Sequence, residues 1–122
     1  AAAADNTRVF ELAELVSRGE KVYQANCAAC HQVDGMGLPG AFPAISGSPV
    51  ATGPIADHVA VVLNGRPGTA MAAFGKQLSD ADLAAVVTYQ RNAWDNKTGD
   101  AAQPAMIAAA RGGNEAAAPA AQ

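Results

Sequence analysis

The stretch Cys27-Ala28-Ala29-Cys30-His31 decides how this chain is read. Two thiols three residues apart, followed at once by an imidazole, form the c-type haem attachment pattern. The spacing has a physical reason. At the end of a helix the two sulfurs reach the two vinyl groups along one porphyrin edge, while the adjacent histidine turns a ring nitrogen towards iron. Two rival chemistries use similar residues: a thioredoxin-like redox pair wants a preceding strand, and half of a zinc site wants a second ligand pair. Neither is met, since the residues before Cys27 read as helix and the chain holds only one more histidine, His58, and no further cysteine.

Upstream of the motif, Phe10, Leu12, Leu15, Val16, Val22 and Tyr23 recur at helical spacing from Val9 to Asn26, with Gly19 as the one weak helix former. Downstream, Gln32 to Gly53 carries Gly35, Gly37, Gly40, Gly47 and Gly53 with Pro39, Pro43 and Pro49, which predicts an irregular, wrapping loop. Thr52 is placed to cap a second helix with Pro54 in its first turn, running through Ile55, Val59, Val62 and Leu63 to Asn64-Gly65. After a second irregular stretch, Arg66 to Gln77, Ser79 caps a third helix with Asp80 and Asp82 in its first turn, reaching about Trp94. Its apolar face holds Leu83, Val86, Val87 and Tyr89, with Gln90 alongside.

From Thr98 onward Ala, Gly, Pro and Gln dominate, so that only Pro104 to Ala110 reads as a short extra helix, and disorder is expected past Arg111. No stretch alternates apolar and polar residues long enough for a strand. The expected class is all-α, three main helices and irregular loops around one covalently bound haem. The expected organisation is a linker stub over 1–8, one domain over 9–97 and an Ala/Pro-rich tail over 98–122.

Half of the 122 residues are apolar, but 31 of them are alanine, which leaves room for a prosthetic group to supply much of the core. The net charge of −3, with scattered basic residues, excludes a nucleic-acid face, and an aromatic content of 5% argues against a base-stacking platform. No apolar run approaches the roughly 20 residues that cross a bilayer, and no basic-plus-apolar signal segment opens the chain. The expectation is a soluble, already trimmed piece.

Residues Gly19 to Trp94 resemble a small monohaem cytochrome c domain of the mitochondrial type. Gly19 and Tyr23 fall eight and four residues before Cys27, where that family has the glycine and aromatic of its first helix, and Tyr89 sits where it has the partner aromatic of its last. The resemblance implies a fold in which these two helices cross at right angles, the glycine allowing close approach. It also implies that Pro43, twelve residues after His31, offers its carbonyl to the other nitrogen of the axial histidine, with Pro39 as the alternative, and that Ile45 contacts haem. Such a bond fixes the tautomer and strengthens the donor. The second axial ligand is expected to be a methionine, and among Met36, Met71 and Met106 the best fit is Met71, in the run Gly68-Thr69-Ala70-Met71-Ala72-Ala73-Phe74, which resembles the ligand loop of the family. Phe74 joins the haem contacts on the same ground. Met36 and Met106 are expected to be structural or exposed.

Other residues keep two readings. His58, next to Asp57, is expected to be a surface histidine, with a haem-propionate contact or a minor ligand role as the alternative. Arg66 either reaches a haem propionate or is a solvated loop charge. Trp94 covers either the haem or the helix junction.

A narrower likeness sets the expected role. Gly37 to Ser48, Val61 to Met71 and Tyr89 to Trp94 look like the cytochrome c domain fused to the C-terminus of subunit II in some bacterial haem–copper cytochrome c oxidases. That implies a covalent haem c on Cys27 and Cys30, iron held by His31 and Met71, and no catalysis by the domain alone. Electrons would come from a soluble cytochrome c or the quinol-oxidising complex and pass to the dinuclear copper centre of subunit II. The setting would be the periplasmic side of the bacterial inner membrane, with membrane contact only through the parent protein. A free periplasmic cytochrome c shuttle is the alternative.

Overall fold

Phe10 is buried, yet it stands outside the first helix. Its backbone is taken up elsewhere: the Phe10 N–H donates to Gln103 Oε1 at 2.9 Å and Gln103 Nε2 donates to the Phe10 carbonyl at 3.0 Å. The helix expected from Val9 therefore begins at Leu12. The computed structural model describes residues 8–65, 71 and 73–117. In chain order the helices are α1 Leu12–Asn26, α2 Ala28–His31, α3 Pro49–Thr52, α4 Ile55–Asn64, α5 Asp80–Asn92 and α6 Pro104–Ala117. Among the described residues there is no strand, only an isolated bridge between Leu38 and Phe42.

The centre of the fold is the crossing of α1 and α5. Leu15 and Tyr23 from α1 meet Leu83, Val86 and Val87 from α5, all without solvent exposure, and each side chain so buried contributes about 1.5–3 kcal/mol. Gly19 sits at the closest approach, where an added Cβ would overlap the Ala85 carbonyl oxygen and lie 2.6 Å from Tyr89 Cβ. Ser79 caps α5 as expected, its hydroxyl accepting the Asp82 N–H at 3.1 Å. The helix ends at Asn92, two residues before Trp94, whose φ of 56° lies in the left-handed region.

The start of α4 differs from the expectation. Ser48 caps the short α3 instead, its Oγ accepting from Val50 and Ala51 at 3.1 and 3.4 Å, and the Thr52 hydroxyl donates to the Ser48 carbonyl at 2.7 Å. Ser48-Pro49 is a complete start signal of its own, so Thr52 becomes the end of α3 and Pro54, with no N–H to satisfy, precedes α4.

Between Thr98 and Arg111, where a short helix is expected from Pro104 and forms there, the chain packs against the rest of the domain. Ala102, Pro104 and Ile107 are fully buried, and Thr88 Oγ1 both accepts from Ala102 N at 2.9 Å and donates to its carbonyl at 3.3 Å. Arg111 pairs with Asp80 and donates to the carbonyls of Leu78 and Gly75. With α1 on one flank and α6 on another, α5 is buried nearly all round, which is why its apolar positions outnumber a single face. The α6 backbone continues to Ala117, past the Ala110 limit of the sequence reading and through residues expected to be disordered. Arg91, 3% exposed, ties these parts together through Asp100 at 2.7 and 2.9 Å and the Gly53 carbonyl at 2.7 Å. The guanidinium holds the Asp100 carboxyl below the usual carboxylate range.

Candidate functional site

The attachment motif lies where α1 gives way to α2. Cys27 closes α1, its N–H donating to the Tyr23 carbonyl at 2.8 Å, and its own carbonyl accepts from Cys30 and His31 at 3.2 and 3.0 Å. Gln32, at φ 70°, ends the turn and sends the chain into the wrapping loop. Gly37 turns that loop back at φ +67°, so close to its own return that a Cβ there would lie within 2.6 Å of Pro43 backbone. The result is a contact between His31 Nδ1 and the Pro43 carbonyl at 2.8 Å. A carbonyl only accepts, so Nδ1 carries the proton and Nε2 keeps its lone pair, the form in which imidazole binds a metal. Pro43, not Pro39, makes this bond.

Cys27, Cys30, His31, Pro43, Ile45, Met71 and Phe74 all line one largely apolar cavity of about 570 Å³, within the roughly 300–1,000 Å³ of ligand sites. Both thiols are free of a disulfide. Burial, reinforced by Cys30, pushes the Cys27 thiol up to about 11, the opposite of the lowered pKa that makes a Cys-X-X-Cys pair a redox catalyst. Among the described residues no group of three or more His, Cys, Asp or Glu is placed to hold a metal ion, so the zinc reading finds no ligands either. A second hollow, of about 400 Å³, is lined by residue 36 and residues 39–44 and has no side-chain heteroatom except the Met36 thioether. The donor set and the apolar walls of the larger cavity fit a thioether-bound haem.

Arg66 lies outside the described residues, as do its neighbours to Ala70 and Ala72. Trp94 covers the helix junction: its ring stands 5.2 and 5.5 Å from those of Tyr23 and Tyr89, and its Nε1 donates to the Val33 carbonyl at 2.9 Å. Tyr23 adds a 2.6 Å bond from its hydroxyl to the Gln32 carbonyl, so the aromatic trio clamps the attachment turn to α5. Met36 and Met106 are exposed, as expected.

His58 is not a surface histidine. It is 3% exposed, lines the same cavity, and its Nε2 stands 2.6 Å from Gln90 Oε1. Asp57, its neighbour, faces solvent; His58 falls one turn before Val62 on the inward face, and an uncharged amide at the matching place on α5 was the available signal. Burial lowers the His58 pKa to about 4. A histidine held neutral weakens the fold as pH falls, from the unfolded pKa near 6.5 down to the folded value. Stability at pH 4 is expected to be about 3 kcal/mol below that at pH 7 from this group. His58→Leu should flatten that part of a denaturant-midpoint profile, and an equal slope in both proteins would refute the assignment.

The family model described as cytochrome c oxidase, cbb3-type, subunit III matches residues 14–89, from within α1 to Tyr89 of α5. The chain belongs to this cytochrome c family. Haem c is therefore its cofactor and electron transfer its work. It is 36% identical over 88 residues to the cytochrome c subunit of the quinone alcohol dehydrogenase of Gluconobacter oxydans, covering 64% of this chain and 18% of that subunit. It is 35% identical over 86 residues to the cbb3-type cytochrome c oxidase subunit CcoP of Azospirillum brasilense, covering 66% and 29%. Cytochrome c-552 of Thermus thermophilus is 36% identical over 107 residues, with 68% and 64% covered. A solved structure of the dihydro-heme d1 dehydrogenase NirN in complex with DHE aligns with a TM-score of 0.54 and 36% identity over 62% of this chain and 16% of that one. The matched region thus spans less than two thirds of each relative. No helix among the described residues is long and apolar enough to cross a membrane.

Proposed function

We propose that this cytochrome c domain holds its haem through thioether bonds from Cys27 and Cys30, with His31 and Met71 as axial ligands, and passes electrons to the dinuclear copper centre of an oxidase subunit II. The observation that carries the site is the 2.8 Å bond from His31 Nδ1 to Pro43 O beside both cysteines, in a cavity that Met71 also lines. Bound there, haem would supply a one-electron couple, with His31 and Met71 as the residues that would hold it. The chain does the rest. Pro43 fixes the histidine tautomer and the apolar walls exclude water, and with His31 and Met71 both holding the group the chain would leave no place on it for oxygen, peroxide or substrate. The domain on that account is a carrier and not a catalyst.

The subunit II role is supported by the likeness of Gly37 to Ser48, Val61 to Met71 and Tyr89 to Trp94 to the fused domain of that subunit. It entails work on the periplasmic face, with electrons arriving from a soluble cytochrome c or the quinol-oxidising complex. The share of cytochrome c-552 matched, 64%, favours a free shuttle as the second reading. Rapid mixing of the reduced domain with an isolated oxidised copper domain of subunit II, against an unrelated soluble cytochrome c, separates the two. Transfer that clearly outpaces the control supports the subunit II role, and transfer no faster moves the assignment to the shuttle.

The axial assignment has its own test. Met71→Ala should keep haem attached, open the sixth position, lower the potential, and take carbon monoxide binding by the reduced protein from negligible to near stoichiometric. An unchanged low-spin spectrum would sink Met71 as the ligand.

A further inference from the structure

The attachment chemistry accounts for Cys27, Cys30 and His31 but leaves a buried polar pair at the cavity wall without a task. Gln90 on α5 is 4% exposed and His58 on α4 is 3% exposed, and both line the cavity. The amide of Gln90 spans between two partners: Oε1 stands 2.6 Å from His58 Nε2, and Nε2 stands 4.0 Å from Cys27 Sγ. Burying an amide and an imidazole against apolar walls costs free energy that two leucines would avoid.

The orientation of the amide follows from its partners. A thioether sulfur has no hydrogen to give and only accepts, so the N–H end of Gln90 is the compatible one. The oxygen end then needs a donor, which His58 supplies as an Nε2–H tautomer. The other ring nitrogen, Nδ1, is buried and makes no hydrogen bond, so nothing draws the proton to that side. The positive end of the Gln90 dipole therefore points at the haem edge carried by Cys27. A positive end there disfavours the extra charge of ferric iron.

We propose that Gln90 is a positioning residue of the haem: its amide, locked by His58, donates to the Cys27 sulfur and raises the reduction potential. The inference rests on Cys27 being an attachment residue. In the haem-loaded domain, Gln90→Leu should shift the reduction equilibrium two- to five-fold towards the oxidised form, which is about 20–40 mV at 59 mV per tenfold for one electron. The carbon–sulfur stretching mode in the resonance Raman spectrum should move with it. His58→Leu should shift both in the same direction, and His58→Gln, which keeps a donor, should restore them. Where Gln90→Leu does not fold, Gln90→Met, closer in length, gives the same reading.

Equal potentials with an unmoved carbon–sulfur mode would overturn the proposal, and so would a potential shift that leaves this mode in place, which reports packing alone. Covalent haem content by pyridine haemochrome and the methionine–iron charge-transfer band are followed in every variant. A parent domain without covalent haem would overturn the attachment reading itself, a failure distinct from loss of the Gln90 effect.

Discussion

Cys27→Ala combined with Cys30→Ala is expected to abolish covalent haem, from one per chain to essentially none after acid–acetone extraction, and to take most of the fold with it. The second half follows from the cavity walls. The cavity measures about 570 Å³ and its walls are largely apolar, so without haem that surface is left to water. The loss falls on a domain whose whole stability is of the ordinary order, about 5–15 kcal/mol. The walls must therefore close in, pulling α4, α5 and the wrapping loop out of register. The double variant should lose its cooperative thermal transition as well as its haem. A purified double variant that keeps a full haem complement through extraction would reject the cysteines as the anchor.

Gly19→Ala is the second large effect. At this position the added Cβ meets the Ala85 carbonyl oxygen and carbon and Tyr89 Cβ, not the tip of a flexible side chain. Backbone cannot rotate aside, so α1 and α5 must separate along their crossing and loosen the contacts of Leu15, Tyr23, Val86 and Val87. Overpacking of this kind costs about 3 kcal/mol, which for a domain of this size lowers the melting temperature by about 12–24 °C. Gly40→Ala serves as the comparison. Its Cβ would meet nothing within 4 Å, and only its φ of +80° resists the change, a cost of about 1–2 kcal/mol. A Gly19→Ala protein that melts no lower than Gly40→Ala would show that the helices adjust to each other freely.

The parts of this fold that were legible in the sequence are those in which chemistry demands residues at fixed spacing. Two thiols and an imidazole needed no tertiary knowledge to be assigned to one place; the proline twelve residues on came from the family resemblance, with Pro39 as its rival, and the structure brings Pro43 to the same cavity. Ser79 was equally plain, because a cap acts within its own turn. What escaped depended on partners far away in the chain. His58 and Gln90 are 32 residues apart; His58 reads as a surface residue, and Gln90 only as a polar neighbour of the apolar face, until each is beside the other. Over 98–111 the short helix from Pro104 was legible, but its packing was hidden for a related reason: alanines give no hydrophobic pattern, yet small side chains let Ala102 and Ile107 come close against α5. Thr52 differs from its expected place because two start signals, at Ser48 and Thr52, lie four residues apart, and the earlier one, Ser48-Pro49, takes the Thr52 hydroxyl.

The paired hydrogen bonds between Phe10 and Gln103 join points 93 residues apart. They close a loop of chain that contains α1 to α5 and the cavity walls. Beyond Gln103 the chain does not leave the domain at once, because α6 sets Ile107 into the core and Arg111 pairs with Asp80. A pull on the C-terminal side therefore loads the α6 contacts first, and reaches the Gln103 clasp and the cavity behind it only after they have parted.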